Sequence, residues 1–222
     1  MDATLKIGGS LSEEPDKLRA LCLELSEMAK NHRITAVPGG GGFADVVREL
    51  DERFQLQDSV AHNIAILAMD QYGIFLSSIT PGSRTTSTLD GARQHSEMNL
   101  LPILLPSRLI AQADPLPHSW EVTSDSITGY IAGELRSEKL VLVTDVDGVY
   151  TEDPKDNPDA TLIEEISAGE LSRRDSRTSV DKYLPRIISE ARLDCYVVNG
   201  NHPDRVRAIL DNEMPRCTHI RA

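Results

Sequence analysis

The 222-residue chain has three cysteines, Cys22, Cys195 and Cys217, widely spaced and with no CxxC pair among them. An odd, scattered set argues against a disulfide framework and supplies no zinc motif, so all three are expected as reduced thiols, Cys22 and Cys195 on core faces. Long apolar runs are also missing. None approaches the roughly 18–20 residues that cross a bilayer, and the N-terminus lacks the basic-then-apolar order of a signal peptide, so a cytoplasmic location is expected. Positive charge is scarce: 23 Lys and Arg stand against 35 Asp and Glu, a formal net charge of −12. That excess repels nucleic acid and anionic membrane, so neither is expected as a partner, and any phosphate site must rely on a few local cations. No internal repeat or low-complexity tract occurs, and neither GxxxxGK[ST] nor GxGxxG at dinucleotide-binding spacing is present.

What the chain does have is glycine in one place. Gly39 to Gly42 stand between the β-branched run Ile34-Thr35-Ala36-Val37 and an amphipathic stretch from Phe43. A polyglycine turn there lets backbone N–H groups face outward at a helix N-terminus, where the macrodipole favours an anion. The other use of such a turn is a tight strand-to-helix bend, but one glycine usually serves that, and each further one costs about 0.5–1 kcal/mol in entropy. A phosphate or a carboxylate is the expected guest.

Hydrophobic and charged fractions of 40% and 26% are those of an ordinary globular protein, and the length suits one large domain, residues 1–222. Short β-branched runs alternate with apolar residues at helical spacing, the pattern of a parallel sheet covered on both faces: a three-layer α/β/α sandwich with a mainly parallel central sheet. Strands are expected at residues 4–8, 34–38, 74–79, 101–105, 140–144 and 194–198. Helical stripes, read as core, are Leu18, Leu21, Cys22 and Leu25; Phe43, Val46, Val47 and Leu50; and Leu184, Ile187, Ile188 and Ala191. Residues 81–88 and 102–117 carry the densest breakers and are expected as loops; residues 153–158 read as a surface turn.

A second glycine turn, Lys6-Ile7-Gly8-Gly9-Ser10, leaves the first strand. Ligands in open α/β sheets bind at the carboxyl ends of strands, so two glycine loops at one edge define one site with two anion pockets. Lys6 could reach phosphate oxygens, or snorkel to solvent. Thr144-Asp145-Val146-Asp147-Gly148, after a buried-type strand, is either an Asx turn or a nucleotide-facing loop. Near the end, Thr178-Ser179-Val180-Asp181-Lys182-Tyr183-Leu184-Pro185 opens a helix with Thr178 and Ser179 as possible caps. Lys182 about one turn in is either solvated or a second cation for phosphoryl transfer.

KIGGS, PGGGGFAD, TDVDGVYTEDP and TSVDKYLP occur in the order found in the amino acid kinase family, which the chain resembles from residue 4 to about 199. Within that family the length, AHNIAILAMDQYG and SVDKYLP are most similar to the small archaeal-type kinases of methanofuran biosynthesis, which act on [5-(aminomethyl)furan-3-yl]methyl phosphate. The resemblance implies an ATP- and Mg²⁺-dependent phosphotransferase, a homo-oligomer, with its acceptor side in about residues 1–120 and its nucleotide side in about 121–222. It implies Lys6, Asp125 and Lys182 as catalytic residues, Asp125 orienting the lysines or capping its helix. Gly8, Gly9, Thr144, Asp145, Gly148 and Tyr150 are implied on the ATP side. Gly39, Gly40 and Gly41 would hold the acceptor anion, and no protein cage for the metal is required.

If the acceptor carries an ammonium group, Asp58, His62 and Asp70 are the candidate partners, with His95 more remote. Many relatives have a glycine-rich turn before the late lysine. Here Arg173, Arg174 and Arg177 stand instead, either on the surface or on the phosphates. Alternatives are a kinase for UMP, isopentenyl phosphate or an amino-acid carboxylate, and a non-catalytic nucleotide- or oxyanion-binding protein on the same fold.

Overall fold

The computed structural model describes residues 1–154, 156–157, 159–174 and 179–222. Among them, eight strands form one sheet in the order β3-β4-β2-β1-β5-β7-β8-β6, parallel except where β7 (Asp194–Asn199) meets β8 (Thr218–Arg221). The centre is β1 (Ala3–Ile7), paired on one side with β2 (Ile34–Pro38) and on the other with β5 (Lys139–Thr144). The chain builds outward from β1 through β2 to β4 (Leu101–Leu104) and the edge strand β3 (Ser83–Thr86), then returns to the other side of β1 with β5. That reversal makes the carboxyl ends of β1, β2 and β5 a topological switch point, where such sheets open a ligand crevice. The remaining strand is β6 (Glu165–Ser167), at the far edge.

The two faces bury different sides of the same strands. Ala3, Leu5 and Ile7, with Val141 and Val143, pack on α1 (Pro15–Met28), α9 (Pro203–Leu210) and the inward side chains Tyr72 and Leu76 of α3 (Asp58–Ile79). Leu140 and Leu142 face the opposite layer, which contains α6 (Ser124–Leu135), α7 (Ala168–Leu171) and α8 (Leu184–Ala191). The period of 2 along β1 therefore turns Thr4 and Lys6 toward α6, and Thr4 Oγ1 meets Ser137 Oγ at 2.7 Å there. Completing that layer are α4 (Leu89–Glu97) and α5 (Ser107–Ala113), with Ile66 and Met69 of α3, around Val37 and Leu104, while α2 (Gly41–Phe54) packs on α3.

Several expectations are corrected. Residues 74–79 are the last turns of α3, not a strand; a short apolar run does not distinguish the two by itself, and here Ile74 and Phe75 are exposed while Leu76 is buried, which is a helical and not a two-sided pattern. Gly73 within it lacks a Cβ because one would lie 2.9 Å from Pro38 Cγ, so α3 can rest on β2. The stretch read as loop at 81–88 contains β3, and that at 102–117 contains most of β4 and all of α5. Of the α2 stripe only Val47 is buried; Phe43, Val46 and Leu50 face outward. Of the surface turn expected at 153–158, the Asp156 and Asn157 N–H groups donate to the Asp153 carbonyl; Lys155 and Pro158 lie outside the described residues.

Candidate active site

The two glycine loops interlock at the switch point. The N–H of Gly8 donates to Val143 O and that of Gly39 to Ile7 O, both at 2.8 Å, so the ladder of the sheet continues into the loops. Those two amides, expected among the anion donors, are thus engaged by the sheet. Gly9 and Gly40 to Gly42 line the open crevice, with Ser10, Ser12 and Ala44. A Cβ on Gly9 would overlap Gly41 N and Cα, and one on Gly39 would come within 3.0 Å of Gly9 N. Gly41 has φ +55°, the left-handed region glycine enters without strain. Beneath them Tyr72, which no local pattern singles out, donates its hydroxyl to Gly8 O at 3.2 Å, and its burial pushes the phenol pKa up.

Lys6 and Asp125 meet beside this crossing, Nζ to Oδ1 at 2.9 Å, with side chains only 10% and 7% exposed. The first turn of α6 brings Asp125 there, but it is not the cap: Thr123 is the N-cap, its Oγ1 accepting from the Asp125 N–H. The stronger cap comes from Asp181. One of its oxygens accepts from the N–H groups of Thr123 and Ser126, both at 2.9 Å. The other accepts from Ser126 Oγ at 2.6 Å and from the N–H groups of Tyr183 and Leu184, which open α8. The Asp181 N–H in turn donates to Asp125 Oδ2 at 3.2 Å. One carboxylate thereby caps two helices and fixes the Lys6–Asp125 pair. Burial, then the charge of Asp125, pushes the Asp181 carboxyl above the usual range.

Of the hydroxyl caps expected for α8, Ser179 is the one among the described residues. Ser179 donates to Gly148 O instead, and Thr178 lies outside the described residues. Lys182 precedes α8, its side chain 81% exposed and its Nζ 3.4 Å from Glu121 Oε1. The structure does not bring it to Lys6. Arg174 donates to Thr151 O, and Arg177 is outside the described residues.

On the acceptor side a cleft opens between α2, α3 and residues 119–124. Asp58 and His62 both line it, as do Gly40, Ala44, Arg48 and Trp120. His62 is 7% exposed and stacks on His118 at 4.7 Å; its Nε2 is buried without a hydrogen-bond partner. Burial, then the neighbouring His118, lowers its pKa. Asp70 is elsewhere: it accepts from the N–H and hydroxyl of Ser107 at the start of α5. His95, on α4, is not among the cleft residues.

Across the crevice, Asp145 accepts from Ser10 Oγ at 2.9 Å and Thr144 Oγ1 at 3.1 Å, tying the first glycine loop to the end of β5. Asp147 takes Arg205 at 2.6 Å, Arg216 at 2.7 Å and Asn199 at 3.1 Å. Burial alone would raise the Asp147 carboxyl, but those donors outweigh it and hold the pKa below the usual range. Gly148 has no room for a side chain against Thr218 Oγ1, and Tyr150 pairs with Leu162 in an antiparallel bridge. Among the described residues no group of three or more His, Cys, Asp or Glu converges as a metal cage, and no helix is long and apolar enough to cross a membrane.

A mainly parallel sheet with interlocked glycine loops and a buried lysine–carboxylate pair at its switch point defines the class, an α/β protein with a ligand crevice at the carboxyl ends of its central strands. The amino acid kinase family model matches residues 4–199, and the chain belongs to that family of phosphotransferases. It is 36% identical over 211 residues, 94% of this chain and 93% of the other, to the [5-(aminomethyl)furan-3-yl]methyl phosphate kinase of Methanocaldococcus jannaschii. With the uridylate kinase of Thermofilum pendens it shares 28% identity, covering 99% and 97% of the two chains. In fold it is similar to the Archaeoglobus fulgidus uridylate kinase, TM-score 0.78 at 22% identity over 99% and 100% of the chains. An isopentenyl phosphate kinase solved as a substrate complex gives TM-score 0.65 at 21% identity, each chain 99% covered.

Proposed function

We propose that the chain is an ATP-dependent kinase that transfers the γ-phosphoryl group to the phosphate of [5-(aminomethyl)furan-3-yl]methyl phosphate, giving the diphosphate and ADP in methanofuran biosynthesis. The observation that carries this reading is the crossing of the glycine loops beside Lys6–Asp125, at one end of a cleft that also holds Asp58 and His62. An acceptor phosphate oxygen is already anionic, so attack on the γ-phosphorus needs alignment and positive charge more than a general base. A bond forms from that oxygen to phosphorus as the bond to the β,γ-bridging oxygen breaks and ADP leaves.

In this reading Lys6 meets the phosphoryl group in flight, the Gly9 amide lies beside it, and Asp125 orients Lys6. Gly8 and Gly39 keep the backbones close, and Gly40 and Gly41 face the acceptor phosphate. Thr144, Asp145, Gly148 and Tyr150 form the ATP side. Lys182 turns to the ATP phosphates by leaving Glu121, an exposed contact of the kind worth about 0.2–1 kcal/mol. Mg²⁺ on the ATP phosphates would add charge neutralisation and needs no protein cage. Asp58, with His62 above it, takes the ammonium of the acceptor. Residues 1–120 and 121–222 are the acceptor and nucleotide sides of one cytoplasmic catalytic unit, sharing one sheet. The exposed apolar residues Val46, Leu50 and Phe54 of α2 and Ile64, Leu67 and Ile74 of α3 support its assembly as a homo-oligomer.

An ADP-release screen with Mg-ATP tests the reading. The aminomethylfuran phosphate is expected to give the highest kcat/KM, above UMP and isopentenyl phosphate, with acidic amino acids inert. Turnover confined to UMP, to isopentenyl phosphate or to a carboxylate acceptor overturns the acceptor assignment; ATP binding without ADP from any acceptor overturns the kinase.

A further inference from the structure

Phosphoryl transfer onto a phosphate brings two anionic groups together, and this chain has few cations to meet them. Lys6 is matched one to one by Asp125, and Lys182 faces Glu121. Arg48 on α2 lines the acceptor cleft, and it also lines the adjoining crevice with Gly9 and Gly40 to Gly42. Among the described residues lining the two, it carries the only permanent positive charge. Gly40, Ala44 and Arg48 follow at i, i+4 and i+8, one face of α2, and these three are common to both spaces. A helical side chain leans back toward its own N-terminus, so a long arginine at this position extends over Ala44 toward the glycine loop.

The present contacts of Arg48 are those of a residue available for exchange. Its guanidinium sits 5.1 Å from the centre of the Trp120 ring and 3.2 Å from Asp45 Oδ1, an exposed i, i+3 pair. Trp120 is itself anchored, its Nε1 donating to Asp51 Oδ2 at 2.7 Å. The ring offers the planar fork a face to lie on, leaving its N–H edges for a two-oxygen acceptor, a geometry lysine cannot reproduce. The same cleft holds the buried, unpartnered Nε2 of His62, a polar atom still without the partner its burial calls for.

We infer that Arg48 binds the acceptor's phosphate, clamping it against the α2 N-terminus, and that Trp120 is the positioning residue for that guanidinium. The inference rests on the phosphate-acceptor reading above and deepens it: Arg48 selects for the phosphomonoester, while Asp58 and His62 select for what the ester carries. Asp45 is displaced when the phosphate arrives.

Trp120 is the single tryptophan of the chain, so its emission reports on this contact directly. The test titrates nucleotide-free wild type, Arg48→Gln and Arg48→Lys with methyl phosphate, with the aminomethylfuran phosphate and with its dephosphorylated alcohol, followed by Trp120 fluorescence and calorimetry. Both phosphate esters are expected to bind Arg48→Gln at least tenfold more weakly than wild type, with Arg48→Lys intermediate. Alcohol binding and Mg-ATP affinity should stay within twofold. In turnover the same variant should raise the acceptor KM at unchanged KM for ATP, a split that a general loss of folding does not produce. Phosphate esters that bind wild type and Arg48→Gln equally overturn the inference, as does a wild type that binds neither ester. Should methyl phosphate bind through Arg48 while the furan phosphate does not bind, Arg48 stands and the proposed acceptor falls.

Discussion

Lys6 and Asp125 are buried together, so substitutions there act on stability as well as on turnover. Lys6→Met strands a carboxylate and should cost about 3–5 kcal/mol, read as a lower urea midpoint, with ADP release falling by orders of magnitude. The double variant Lys6→Met/Asp125→Asn should recover most of the stability and none of the turnover, which separates the structural from the catalytic role of the lysine; recovered activity would show that Lys6 is not needed for chemistry. His62 supplies a pH dependence of known sign. Its pKa in the folded chain lies below the ordinary 6.5, lowered by burial and then by His118, with Asp114 opposing. The fold therefore favours the neutral ring, and the stability tied to it is present above 6.5 and lost as pH falls through the lowered value. Urea denaturation at pH 7.5 and 5.0 should show the loss, and His62→Gln should make it smaller.

At the scale of elements, the crossing of two loops is the demanding feature. Gly9→Ala places a methyl on the Gly41 backbone, and relieving that overlap should cost about 1–3 kcal/mol and separate the loops enough to cut kcat at least tenfold. Gly42→Ala meets nothing within 4 Å and serves as the control, expected to keep the wild-type melting temperature or raise it. Equal behaviour of the two variants would show that the crossing is not tightly held. Residues 34–38 are legible as a strand to the residue, because a short run rich in β-branched residues, Ile34, Thr35 and Val37, ends at Pro38 and glycine. The end of α3 is not, since Ile74 and Phe75 look like a strand until their exposure is known. Asp181 was legible in principle: an aspartate shortly before Leu184-Pro185 is a helix-start signal, but the neighbouring Lys182 drew the functional reading.

At the scale of the molecule, nine of the thirteen exposed large apolar side chains among the described residues lie on α2 and α3. Phe43, Val46 and Leu50 have helical periodicity, and periodicity alone assigns such a stripe to a core without saying whose core it is. If a second copy covers it, light scattering should give a dimer or larger species for wild type, and Leu67→Glu with Ile74→Glu should shift it to monomer. A monomeric wild type would remove the homo-oligomer. Both substituted residues are exposed, so the monomer itself should remain folded.

By itself the sequence determined the α/β class, the two glycine turns and the strand-end placement of Lys6, because each is written in local chemistry: β-branched runs, glycine where a backbone must pass close, polar residues where strands stop. The order of four motifs along the chain carried the family. Only the tertiary structure decided that Gly9 rests on Gly41, that Tyr72 holds Gly8 from beneath, that Asp181 caps two helices at once, and that Asp58 and His62 share a cleft from which Asp70 is excluded. Each of those joins residues that the chain separates, and which partners meet is set by how helices settle on the sheet, a property of packing that no single segment contains.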